Sequence, residues 1–174
     1  MLNRRAFMIT TGASLMGAKA FSAEEKFPLD LTRKQWRERL TPAQFAVLRE
    51  SETENSFSGS LMGERSLLLT EDRPGTYNCA GCGNDLYRSE TKFDSGSGWP
   101  SFWQPMEGGV GTRKDRSLIF LVQTEVHCAN CGGHQGHIFD DGPPPTGKRH
   151  CVNGLAMTFT PDATGVTEGY PVAG

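Results

Sequence analysis

Leu155-Ala156-Met157-Thr158-Phe159-Thr160 decides the fold class. Alternation at period two puts Leu155, Met157 and Phe159 on one face, the pattern of a half-buried strand. Upstream of it, Leu67-Leu68-Leu69 and Ser117–Gln123 are further short strand candidates. From Ser66 onward glycine and proline interrupt every run, at Gly108-Gly109 and Pro143-Pro144-Pro145 among others. There is no βαβ rhythm and no phosphate-cradling loop. The pattern predicts a compact antiparallel β domain with long loops.

Two helix starts precede this region. Leu31-Thr32-Arg33-Lys34-Gln35-Trp36 and Leu40-Thr41-Pro42-Ala43-Gln44-Phe45 each read as a capping box with a hydrophobic staple. Pro42 stands at the first helical position, where its missing N–H costs nothing. Helices are expected over 32–40 and 42–50. They are too short to stand alone and must dock on something larger.

The 174 residues fit one domain, with or without an appendage, and 36% hydrophobic and 22% charged residues are ordinary for a soluble globular protein. A formal net charge of −2 leaves no electrostatic footprint for nucleic acid. Residues 1–23 carry Arg4, Arg5 and Lys19 and no acid, so their removal takes the charge from −2 to −5. The uncharged stretch Ala6–Ala18 is too short to span a bilayer. Ala18-Lys19-Ala20 and Phe21-Ser22-Ala23 both offer cleavage sites. Asn3-Arg4-Arg5-Ala6-Phe7-Met8 resembles a twin-arginine export signal; an ordinary secretory signal and a retained anchor are the alternatives. The expected organisation is an export signal at 1–23, a link and first helix start at 24–35, and the folded domain at 36–174. It implies a periplasmic protein with no stable membrane span after processing.

Export bears on the five cysteines, an odd number. Cys79-Ala-Gly-Cys82 and Cys128-Ala-Asn-Cys131 are two C-x-x-C knuckles with 45 residues between them. Two such turns aim four thiolates at one tetrahedral centre, and one structural zinc ion is the expected occupant. The alternatives are a pair of disulfides, given an oxidising destination, or iron in the same geometry. A shell of four thiolates leaves no open position, so this metal holds structure and does no chemistry.

Cys151 stands apart, in Arg149-His150-Cys151-Val152-Asn153. A thiolate here is a nucleophile, and Arg149 and a nearby histidine favour the anion. A buried, inert cysteine is the competing reading. His134-Gln135-Gly136-His137 follows the second knuckle; either histidine reads as a substitute metal ligand or a space-filler, and with four thiolates available neither is needed as a ligand. Gly96-Ser97-Gly98-Trp99-Pro100-Ser101-Phe102-Trp103 reads as a tight aromatic loop, either core or the wall of a shallow site.

Together these pieces resemble the B-type peptide methionine-R-sulfoxide reductases. The resemblance rests on Leu40–Phe45, Phe57-Ser58-Gly59, the Cys79/Cys82 knuckle, Thr91–Gly96, Gly98–Phe102, Thr124-Glu125-Val126, Cys128–His137, Phe139–Gly142, Pro145-Thr146-Gly147 and Arg149–Asn153. It covers about Trp36 to Phe159. It implies two antiparallel sheets in a small barrel-like or tent-like domain with short N-terminal helices and a four-cysteine zinc site. It also implies that Cys151 attacks the sulfoxide sulfur, that His134 and His137 bind and protonate its oxygen, and that Asn153 joins their network. Arg149 would stabilise the thiolate, and Trp99 would wall the substrate methyl group and select the R epimer. Cys151 would end as a sulfenic acid. The partners implied are oxidised proteins or peptides and an external thiol or thioredoxin-like reductant.

Two positions depart from the family pattern. Ser97 stands where many members carry a second cysteine, so an external thiol is expected to reduce Cys151. Gly154-Leu155-Ala156 replaces a serine and a small residue. The competing function is a non-catalytic zinc-bound β module that binds a protein partner.

Overall fold

In the computed structural model, residues 25–118, 121–168 and 172–173 are described. The expected leader at 1–23 lies outside them. The two helices are α1 (Arg33–Arg39) and α2 (Pro42–Glu50), and both capping boxes form. Thr32 Oγ1 accepts from the Gln35 N–H at 3.3 Å while Gln35 Oε1 accepts from the Thr32 N–H at 2.9 Å. Thr41 and Gln44 do the same at 3.2 Å each way. Trp36, Leu40 and Phe45 are buried, and Leu31 packs at the edge of the core. Ser51, left-handed at φ 57°, ends α2. Among the described residues no helix is long and apolar enough to cross a membrane.

Among the described residues twelve strands follow: β1 (Ser60–Leu61), β2 (Glu64–Arg65), β3 (Gly75–Cys79), β4 (Asp85–Arg88), β5 (Lys92–Phe93), β6 (Ser101–Phe102), β7 (Val110–Leu118), β8 (Leu121–Cys128), β9 (His134–Phe139), β10 (Arg149–Val152), β11 (Met157–Pro161) and β12 (Val172–Ala173). All pairings are antiparallel. The fold is mainly β, as expected. One sheet has six strands in the order β5-β6-β10-β9-β8-β7, and a second has three in the order β11-β3-β4. A third, β1-β2-β12, adds to the two expected. Its β1–β2 hairpin turns on Met62 and Gly63, both at positive φ (52° and 81°), the backbone of a tight two-residue hairpin loop.

The stretch Leu155–Thr160 is half as expected. Gly154–Ala156 forms a 3₁₀ turn, and the strand starts at Met157. Met157 and Phe159 are fully buried while Thr158 and Thr160 are not, so the alternation holds from there. Leu67-Leu68-Leu69 is not a strand. The Thr70 N–H donates to Leu67 O in a turn, which sends Leu68 into the core and leaves Leu67 36% exposed. A bare leucine run carries no period, so one buried anchor mimics a strand. Of Ser117–Gln123, β7 ends at Leu118 and β8 begins at Leu121.

The core lies between the six-stranded sheet and the β11-β3-β4 sheet. Phe102 of the six-stranded sheet stacks on Tyr87 with ring centroids 4.3 Å apart and meets Tyr77 edge-on at 4.9 Å. Tyr77 in turn meets Phe159 at 4.9 Å. All four are fully buried. His150, paired with Phe102 across β10 and β6, also faces this core.

One residue along, the opposite face of the six-stranded sheet carries a single cross-strand row. Phe93 pairs with Ser101, Ser101 with Cys151, Cys151 with His137, His137 with Glu125, and Glu125 with Arg113. Gly136 makes this pairing close: a Cβ there would sit 2.0 Å from Cys151 O.

Candidate active site

The two knuckles come from strand ends. β3 ends at Cys79 and β8 at Cys128, and each turns back through glycine: the Gly83 N–H donates to Cys79 O and the Gly132 N–H to Cys128 O, both at 2.8 Å. The four Sγ atoms lie within 4.8 Å of one another. Cys79 to Cys131 is 3.8 Å and Cys82 to Cys128 is 3.6 Å. A tetrahedron with metal–sulfur bonds of ~2.3 Å has edges of roughly 3.8 Å, so the donor set fits a four-coordinate thiolate-loving metal. All five cysteines are free, and these separations are far from the ~2.05 Å of a disulfide. The arrangement therefore departs from the disulfide alternative.

The fifth cysteine sits at a cleft of about 130 Å³ lined by Trp99, His137, Phe139, Cys151 and Asn153, with Thr53, Gly136 and Val152. Of the residues singled out from sequence, Cys151, Trp99, His137 and Asn153 share this cleft. His134 and Arg149 do not line it. His134 is buried behind His137, their ring centroids 5.4 Å apart. Arg149 lies towards a second, polar cleft that Ser97 and Asp141 also line.

Each histidine is held by a carboxylate. His134 Nδ1 donates to Glu125 Oε1 at 2.8 Å, and His137 Nε2 donates to Asp115 Oδ2 at 2.8 Å. These bonds fix tautomer and ring orientation and leave the other nitrogen of each ring open to a partner. His134 Nε2 is buried with no partner among the described residues. Glu125 also accepts from Arg113 at 2.5 and 2.8 Å. Burial, the largest influence, pushes the Glu125 carboxyl up, yet His134 and Arg113 together outweigh it and hold it at about 2.

Trp99 is fixed by its indole N–H, which donates to Glu54 O at 3.1 Å. Glu54 is 2% exposed. Its N–H donates to Asn153 Oδ1 at 3.0 Å, and its carboxylate accepts from the N–H groups of Gly154 and Leu155, both at 2.7 Å. Asn153 Nδ2 donates to Gln135 O at 3.1 Å. Both ends of the Asn153 amide thus serve the scaffold that shapes the cleft.

The sulfur of Cys151 lies 3.9 Å from Ser97 Oγ. Burial raises this thiol above its ordinary range, more than the Ser97 hydroxyl and the Arg149 guanidinium lower it. Arg149 is itself bound by Asp141, through two 2.8 Å bonds, which weakens the expected support for the anion. The sequence neighbour His150 gives none: its ring faces Tyr87, and burial lowers its pKa to about 4. Glu54 and Asp115 were not singled out from sequence, and Glu125 entered only within the Thr124-Glu125-Val126 match, without a role. Their partners lie across strands or about 100 residues away, and only register reveals them.

The described residues thus form a mainly-β domain that gathers four thiols in one cluster and sets a fifth at an aromatic-walled cleft beside a carboxylate-bound imidazole. Residues 40–161 match the SelR domain family. The chain belongs to that family, which includes the MsrB peptide methionine sulfoxide reductases. It is 50% identical over 126 residues to peptide methionine sulfoxide reductase MsrB of Agrobacterium fabrum, covering 72% of this chain and 88% of that protein. With its counterpart in Bradyrhizobium diazoefficiens it is 50% identical over 131 residues, covering 75% and 88%. With mitochondrial methionine-R-sulfoxide reductase B3 of Mus musculus it is 42% identical over 138 residues, covering 79% and 52%.

Proposed function

We propose that the protein reduces methionine-R-sulfoxide in oxidised proteins or peptides, with Cys151 as the nucleophile. The observation that carries this reading is the cleft in which Cys151 meets Trp99 on one side and His137 on the other. Burial favours the neutral thiol, so the Cys151 proton passes to an acceptor as its sulfur attacks. Trp99 receives the apolar methyl group. His137, held by Asp115 and backed by the His134–Glu125 pair, binds the sulfoxide oxygen and holds a proton beside it.

The sulfur–oxygen bond breaks and the thioether leaves. Cys–SH and R₂SO become Cys–SOH and R₂S, the sulfur of Cys151 being oxidised as that of methionine is reduced. Ser97 cannot close a disulfide, and the other four cysteines are committed to the cluster. An external thiol therefore attacks the sulfenic acid and releases water, and a second thiol frees Cys151. One zinc ion bound by Cys79, Cys82, Cys128 and Cys131 would tie the ends of β3 and β8 together and supply no chemistry.

We propose further that residues 1–23 direct twin-arginine export to the periplasm. That route would deliver the domain folded, with its metal already bound. N-terminal sequencing of the protein from the cell-envelope fraction tests it; a chain starting at Met1 in the cytosol refutes it.

The activity is tested by turnover of R and S methionine sulfoxide with dithiothreitol. Native protein should reduce the R epimer, and Cys151→Ser should be inactive. Mass spectrometry after one turnover without reductant should find Cys151 as sulfenate. Activity in Cys151→Ser, or an internal bridge to Cys151, would defeat the assignment.

A further inference from the structure

Gln135 lies between the two histidines in sequence, is fully buried, and takes no part in the reaction just described. Burying an amide is costly unless its polar atoms are bonded. Its Nε2 lies 3.6 Å from Cys79 Sγ and 3.4 Å from Gly133 O. Both neighbours are acceptors, so the amino end of the amide must face them. Its Oε1 has no partner among the described residues. An apolar side chain of the same length would fill this space without leaving a buried oxygen unbonded. What such a side chain would lose is the N–H directed at the sulfur.

We propose that Gln135 is a positioning residue for the metal, its side-chain amide donating to Cys79 Sγ and holding that thiolate in the four-cysteine cluster. The inference rests on the reading of the cluster as a metal site. A hydrogen bond to an ionised ligand is stronger than one between neutral groups, and it orients the ligand for the metal. The same residue reaches the cleft through its backbone. Gln135 O accepts from the Asn153 N–H at 2.8 Å and from Asn153 Nδ2 at 3.1 Å. Asn153 Oδ1 accepts from the Glu54 N–H, and Glu54 O from the Trp99 indole. Three buried residues, Gln135, Asn153 and Glu54, therefore join Cys79 to the Trp99 wall beside Cys151.

The test uses the full zinc-loaded chain and two variants, Gln135→Met and Gln135→Glu. Zinc release to a chelator is followed with a zinc-sensitive dye, and the sulfur-to-metal charge-transfer band is recorded after cobalt substitution. Loss of a hydrogen bond to a ligand weakens metal sites by about 10- to 100-fold. Gln135→Met should therefore release zinc about 10-fold faster than native protein and shift the cobalt band. Gln135→Glu, which turns a carboxylate towards thiolates, should release it faster still. A space-filling role predicts the reverse for Gln135→Met, because that change deletes an unbonded buried oxygen. Equal or slower release from Gln135→Met, with an unmoved cobalt band, overturns the proposal, and this variant decides even where Gln135→Glu fails to fold. Native protein that binds neither zinc nor cobalt overturns the metal reading itself, an outcome distinct from equal release rates.

Discussion

Glu125→Gln removes a charge that Arg113 and His134 both use. The carboxyl is held at about 2 in the folded protein against an ordinary 4.5. At about 1.4 kcal/mol per pH unit, its ionisation contributes about 3 kcal/mol to folding at pH 7. That is an upper figure, because Arg113 is 42% exposed and solvent screens its share. For a carboxyl with a lowered pKa the stabilisation is complete above the unfolded value and is lost as pH falls through the folded one. At pH 3 only about one pH unit of the difference remains, worth about 1.4 kcal/mol. The stability gap between native protein and Glu125→Gln, measured by urea unfolding, should therefore shrink by about half between pH 7 and pH 3. Turnover should fall by about 10- to 100-fold in the same variant at pH 7, as His134 loses the anion that orients it. A stability gap that is constant from pH 7 to pH 3 would show that the charge of Glu125 does not carry the interaction, and the reasoning fails.

Glu54 should behave with the opposite sign. Burial raises its carboxyl above 4.5 in spite of the Gly154 and Leu155 N–H groups, so native stability should fall as pH rises through the window above 4.5. Urea midpoints across that window should be flatter in Glu54→Gln, and an unchanged slope would contradict the assignment. Phe102→Ala should cost about 3–5 kcal/mol in urea unfolding, since it empties a fully buried ring site between Tyr77 and Tyr87. A loss under about 1 kcal/mol would mean that the two sheets do not depend on this contact. Trp99→Ala should raise KM for the R sulfoxide several-fold, from about 1 kcal/mol of lost methyl contact, with a smaller change in kcat. An unchanged KM removes the indole from the substrate wall.

Local chemistry was legible in the sequence, and non-local chemistry was not. Thr32/Gln35 and Thr41/Gln44 announce their helices because both partners of each box lie within four residues. The cysteine knuckles are readable for the same reason, and the structure brings all four sulfurs together. The β1–β2 hairpin went unread because Ser60–Arg65 has no apolar alternation and its turn is Met62-Gly63 rather than asparagine or aspartate with glycine. At the candidate site, Cys151, Trp99, His137 and Asn153 could be placed together by the family pattern. The carboxylates behind the histidines could not, since Asp115 and Glu125 acquire meaning only when β7, β8 and β9 are aligned. Arg149 shows the limit of reading a cation beside a thiol: the competing anion, Asp141, is eight residues away and is reached only through the fold.

The row that runs from Phe93 to Arg113 makes alignment itself a functional property. Were β10 to slide by a single residue, every side chain on it would change sides, and the imidazole of His150 would replace the sulfur of Cys151 beside His137. Insertions in the loops that flank β10 are thus tolerable only if they leave its pairing untouched. Engineering that transplants this chemistry must carry three aligned strands, β6, β10 and β9, as one unit rather than a list of side chains.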